Sequence, residues 1–126
     1  MDEDVIRDLL AGLGPIRIKR MFGGLGIYAD DLMFAIEADG ELFIKADSET
    51  SDLFEQAGSS VFSYQKSGGK VFTMRYWKLP ESALDDPDEA TRWGRYGIEA
   101  ARRGARAKGA SSGSKKIRRK RAVPLP

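Results

Sequence analysis

At 126 residues, with 41% hydrophobic and 10% aromatic content, the chain has the size and composition of one globular domain. It contains no cysteine and no histidine. That excludes disulfides, thiolate nucleophiles, Cys- or His-based zinc sites and Ser–His catalysis. The formal charge of +2 hides a partition: up to Glu99 the chain holds 19 acidic and 11 basic residues, a net of −8, and from Ala100 onward it holds ten basic residues and no acidic one.

The acidic start, Met1-Asp2-Glu3-Asp4, lacks the basic region of an export signal, and no long apolar run follows it. Neither secretion nor a membrane span is expected, which points to the cytoplasm. Ile6, Leu9, Leu10 and Leu13 recur at helical spacing, so a first helix is predicted from Asp2, stopped by Gly12, Gly14 and Pro15.

Strand-like segments follow at Ile16 to Phe22, Leu25 to Ala29, Leu32 to Ala38 and Glu41 to Ala46. Asp39-Gly40 between alternating apolar runs is a strong hairpin signal, because both residues tolerate positive φ. Asp47 to Gly58 reads as a short helix with Leu53, Phe54 and Ala57 inward. Val61 to Lys66 and Lys70 to Leu79 form a second hairpin around Ser67-Gly68-Gly69. Period-2 alternation sets Phe72, Met74 and Tyr76 on one face, and Val71, Thr73, Arg75 and Trp77 on the other. The last helix opens at Asp86-Pro87-Asp88-Glu89, with a cap, Pro at the first position and Glu three residues after the cap. It is predicted to reach about Arg103.

The predicted class is α+β in two layers: an antiparallel sheet of about five strands with helices on one face. Residues 1–103 form the domain, and residues 104–126 a disordered basic tail with too little apolar surface to offset its ordering entropy.

Three groups of residues invite a chemical reading. Gly24 and Gly26 give a G-x-G, but strands flank the cluster on both sides, whereas a dinucleotide site needs a following helix; a turn or bulge explains it. Ser67-Gly68-Gly69-Lys70 lacks the remaining residues of a phosphate-binding loop. The acid pairs Asp30-Asp31, Asp85-Asp86 and Asp88-Glu89 fall at a turn and a helix start, where capping explains them. No catalytic residue, metal ligand or cofactor site is therefore assigned.

Two binding surfaces are assigned. Arg75, Trp77 and Lys78 are residue types favoured in protein-binding hot spots, with Trp77 as core beneath the last helix, against Trp93, as the competing reading. Lys115, Lys116, Arg118, Arg119, Lys120 and Arg121 suit phosphate contacts, salt-dependent and without base selectivity; folding back on the acidic body is the intramolecular alternative. Ala90, Gly94, Gly97 and Ala101 place small residues on one side of the last helix, as close approach to the sheet, or to a partner helix, requires; the sheet is the expected neighbour.

Several segments together resemble the N-terminal domain of the TfoX/Sxy family, regulators associated with bacterial competence. They are Arg20-Met21-Phe22-Gly23-Gly24-Leu25-Gly26-Ile27-Tyr28, Leu42-Phe43-Ile44-Lys45, Met74-Arg75-Tyr76-Trp77-Lys78-Leu79-Pro80-Glu81 and Trp93. The resemblance covers about Met1 to Ala101 and implies the order α-β(3)-α-β(2)-α, no enzyme activity and a role in transcription regulation. Full-length regulators of this type are thought to act with the cyclic-AMP receptor protein. In this sequence a basic tail is expected at the position where those carry a second, helical domain. The expected function is an accessory regulatory module that contacts a protein of the transcription machinery or a regulator, with non-specific nucleic-acid affinity in the tail. The alternative is a dimeric protein-interaction or chaperone-like domain without a nucleic-acid role.

Overall fold

A computed structural model describes residues 1–21, 23–65 and 71–112. Helix α1 spans Glu3–Leu9; the Asp2 side chain caps it by accepting from the Val5 amide at 3.0 Å. Ala11–Leu13 then tightens into a 3-10 turn, so the predicted stripe is shared between the two: Ile6, Leu9 and Leu10 are buried and Leu13 packs against them.

Six strands follow: β1 Arg17–Met21, β2 Gly24–Ala29, β3 Leu32–Ala38, β4 Glu41–Lys45, β5 Val61–Gln65 and β6 Val71–Lys78. They make one sheet in the order β1-β2-β3-β4-β6-β5, antiparallel at every junction. Four strands thus precede the middle helix, one more than the resemblance implies. Arg17–Met21 forms a full strand because every residue of it finds a partner in Gly24–Ala29. The β3–β4 hairpin turns on Asp39 and Gly40, at φ of 52° and 80°, as the dipeptide predicted. The hairpin tip at Ser67-Gly68-Gly69 and the residue Phe22 lie outside the described residues.

Pairing between β2 and β3 shifts at Ile27/Tyr28, leaving Phe34 as the extra residue of a bulge. As a result Phe34 and Ala35, adjacent in sequence, both enter the main core, while Met33 and Ile36 go to the opposite face. The main core lies between the sheet and the helices. It takes Ile27, Phe34, Leu42 and Ile44 from the strands and Ile6, Leu10, Phe54 and Ala90 from the helical side.

Helix α2 (Ser51–Gln56) buries Phe54. Helix α3 (Pro87–Ser112) starts as predicted: Asp86 accepts from the Asp88 and Glu89 amides at 3.1 and 3.2 Å. Glu89, however, does not reach back to the cap. Its carboxylate accepts from the Ser82 hydroxyl at 2.7 Å and the Trp93 indole N–H at 3.2 Å. The predicted Trp77–Trp93 contact is mediated instead by Phe54, whose ring centroid is 6.3 Å from Trp77 and 4.5 Å from Trp93.

The small residues of α3 do face the sheet. A Cβ on Gly97 would lie 2.7 Å from Ile44 Cγ2 and 2.8 Å from the Phe34 carbonyl oxygen, so only glycine permits this approach. The end of α3 departs from prediction: the backbone remains helical through Ser112, nine residues past Arg103. Docked turns supply the costly nucleus, and Ala105, Ala107 and Ala110 let the helix propagate. Residues 113–126 lie outside the described residues.

Candidate functional site

The residues assigned to protein binding all lie at the end of β6, but the sheet divides them. Trp77 pairs with Ile44 and shares its helix-covered face; Lys78 pairs with Phe43 on the other. Arg75 falls on the Trp77 side by alternation and is exposed, and its guanidinium has no ion-pair or hydrogen-bond partner among the described residues. Trp77 is half-buried against Phe54, so it serves the core and a surface cleft at once. Lys78 instead forms an ion pair with Glu41, whose carboxylate raises the ammonium pKa by hydrogen bonding and charge.

The Arg75–Trp77 cleft has a volume of about 300 Å³ and is also lined by Ala46, Asp47, Ser48, Ser51 and Val61. Its one acid is already engaged. Arg103 from α3 donates through Nε and Nη2 to Asp47 at 2.7 and 3.0 Å, and Nε lies 3.1 Å from Glu49. Thr50 also donates to Asp47, at 3.3 Å. The Arg103 hydrogen bond, against an opposing effect of burial, holds the Asp47 carboxyl below its usual pKa. The neighbouring Arg102 reaches Asp30 in the β2–β3 turn at 2.6 Å. Two consecutive arginines therefore fasten α3 to two separate loops. Beyond them Gly104 faces open space, and residues 104–108 are exposed.

Of the glycine cluster, Gly23 sits in the β1–β2 turn at φ 78°, whereas Gly24 and Gly26 lie within strand β2. Lys115, Lys116, Arg118, Arg119, Lys120 and Arg121 lie outside the described residues. Among the described residues no group of three or more acids is arranged to hold a metal ion, and no helix is long and apolar enough to cross a membrane.

The model of the TfoX N-terminal domain matches residues 8–101. The chain belongs to that family. The match ends at Ala101, a buried residue in the last docked turn of α3. Among curated relatives, the chain is 30% identical to Protein Sxy of Escherichia coli K12 over 95 residues, covering 75% of this chain and 45% of that protein. It is 32% identical over 69 residues to the DNA transformation protein TfoX1 of Aliivibrio fischeri, covering 55% of this chain and 32% of the relative. The chain thus spans less than half the length of either. All four motif segments of the TfoX-like resemblance fall inside the family match.

A feature that sequence reasoning missed is the face opposite the helices. Ile36, Phe43 and Tyr76 form a second buried cluster there, joined by Met33, Ala38 and Phe62. Burial, with a smaller contribution from Tyr28, pushes the Tyr76 hydroxyl up to about 12. The signal lay in alternate strand positions, but only the register across the Phe34 bulge brings them together.

Proposed function

We infer that this TfoX N-terminal domain is a non-enzymatic, cytoplasmic accessory module of transcription regulation, which acts by contacting a protein of the transcription machinery or a regulator. The observation that carries this reading is family membership shared with Protein Sxy and the DNA transformation protein TfoX1. The cation-rich stretch from Arg102 onward adds nucleic-acid affinity without sequence preference. Its support is the run of ten basic residues, of which Arg106 and Lys108 stand exposed on the projecting part of α3. Such contacts release counterions, so the affinity falls steeply with salt. Arg75 and Trp77, on the rim of the cleft, are the residues proposed to meet the protein partner.

Transcript profiling of a native strain with and without the gene tests the regulatory role; an unchanged profile would refute it. A duplex-DNA titration of the full chain at several salt concentrations tests the basic segment. The expected result is binding that weakens with salt and is lost when Lys115, Lys116 and Arg118–Arg121 are changed to Gln. Affinity unaffected by those changes would overturn the role of the tail.

A further inference from the structure

Every helix and 3-10 turn contributes to the main core, whereas the second cluster is built from strand residues alone. Among the described residues, nothing helical covers that face of the sheet. Register identifies what it displays. Arg17 pairs with Tyr28 and Lys19 with Gly26; Lys45 pairs with Tyr76 and Lys78 with Phe43. Directly paired residues share a face, so Arg17, Lys19, Lys45 and Lys78 all stand on this one. Glu41 is the acid at its strand positions and pairs with Lys78, and Asp31 in the adjoining β2–β3 turn pairs with Arg17 at 3.3 Å, which leaves Lys19 and Lys45 without an acidic partner among the described residues. On the helical side the acids Asp4, Asp8, Asp52, Glu55, Asp88 and Glu89 are interspersed with Arg7, Arg92 and Arg95. The strand positions of the sheet face thus carry a cationic excess on a body that is net −8 as a whole.

Two of the cations are held in place. The Arg17 guanidinium lies 5.3 Å from the centre of the Tyr28 ring, and the Lys45 ammonium 5.7 Å from that of Tyr76. Between them the floor is apolar and adaptable. A Cβ on Gly26 would lie 2.7 Å from Met21 Sδ, 3.0 Å from Met33 Sδ and 3.2 Å from Tyr28 Cε1, so two thioethers and a ring edge close over the glycine. Unbranched thioether side chains re-pack readily around a partner.

We propose that this cationic sheet face, with Lys19 and Lys45 at its rim and Met21, Met33 and Tyr28 as its floor, docks an acidic segment of a partner protein that also carries apolar side chains. Charge complementarity selects the sign of the partner, and the thioether floor selects its apolar residues. A single nucleic-acid strand fits less well: its bases need free aromatic faces to stack on, and the Tyr28 and Tyr76 rings already carry the protein's own cations. The chain's own basic tail is repelled. The proposal rests on the protein-contact part of the function inferred above, yet is tested separately from it. Unchanged transcripts with intact docking would refute the regulatory role alone.

The probe is a fluorescein-labelled peptide in which Glu residues flank Leu and Phe, titrated against the full-length chain and followed by anisotropy and by amide NMR shifts. A Lys-for-Glu version and a single-stranded oligonucleotide serve as comparisons. The acidic peptide should bind with shifts at Lys19, Gly26, Met33 and Lys45, and the double change Lys19→Glu/Lys45→Glu should weaken it about tenfold or more. Lys19→Glu alone, at an exposed position, should weaken it in the same direction with the amide spectrum otherwise unchanged. The proposal is overturned by no binding, by shifts confined to α3 or the tail, by affinity indifferent to these changes, by the oligonucleotide displacing the peptide from this face, or by a doubled mass showing that a second copy occupies it.

Discussion

Replacing Gly97 by alanine isolates a close approach between helix α3 and the sheet. Two opposing effects must be weighed. Alanine favours the helix over glycine by about 1 kcal/mol. Against that, the new methyl would sit 2.7 Å from Ile44 Cγ2 and 2.8 Å from the Phe34 carbonyl oxygen. The oxygen belongs to the backbone of a central strand, with β2 on one side and β4 on the other, so it cannot rotate away as a side chain would. Overpacking of this kind costs roughly 1–3 kcal/mol, so Gly97→Ala should lose about 1 kcal/mol net. In a domain of this size that lowers the melting temperature by about 4–8 °C. Two internal comparisons sharpen the test. At Gly94 the nearest atom is Leu13 Cδ1, the far end of a flexible side chain, so Gly94→Ala should be close to neutral; at Gly104 nothing lies within 4 Å, so Gly104→Ala should gain about 0.5 kcal/mol. Urea unfolding and thermal melts would give the order. A Gly97→Ala protein as stable as the Gly104→Ala protein would refute the reasoning.

Phe54→Ala, at a fully buried ring touching both tryptophans, should cost about 3–5 kcal/mol and shift the tryptophan emission to the red. Asp47→Asn should cost about 1 kcal/mol at neutral pH. Because the carboxyl is held below its usual pKa in the folded state, its stabilisation is full above pH 4 and lost as pH falls through the lowered value. The stability difference between wild type and Asp47→Asn should therefore be flat above pH 4 and shrink below it, as acid unfolding would show. Tyr76 behaves in the opposite sense: burial favours its neutral form, so its stabilisation is full below pH 10 and disappears as pH rises towards about 12. In a spectrophotometric titration, Tyr76→Phe should remove a phenol that ionises at about 12.

Most elements were readable because local signals agreed. Asp39-Gly40 forced a hairpin, and Asp86-Pro87 opened α3. The spacing of Ile6, Leu9 and Leu10 set the first buried stripe. Face assignment on β3 was another matter. Strict alternation along Leu32–Ala38 would put Phe34 and Ile36 together, but the bulge separates them into different clusters. No local composition marks that bulge; it follows from the opposing register of β2. The same limitation hid the cationic face, whose members come from four strands. The division of Arg75 and Trp77 from Lys78 follows from alternation alone and was legible. The Asp47–Arg103 pair, 56 residues apart, was not. The end of α3 was not legible either: buried apolar surface runs out near Arg103, yet docked turns and the alanines that follow carry the helix on to Ser112.

The fastening of Arg102 to Asp30 and Arg103 to Asp47 has a mechanical consequence. No loop intervenes between those anchored turns and the nine helical residues that follow, Gly104–Ser112. At a rise of 1.5 Å per residue they form a rod of about 13 Å, cantilevered from the domain. The direction in which Arg106 and Lys108 are carried is thus set by the docked turns of α3, where Ala101 is packed in the core and two arginines are held by carboxylates of the body.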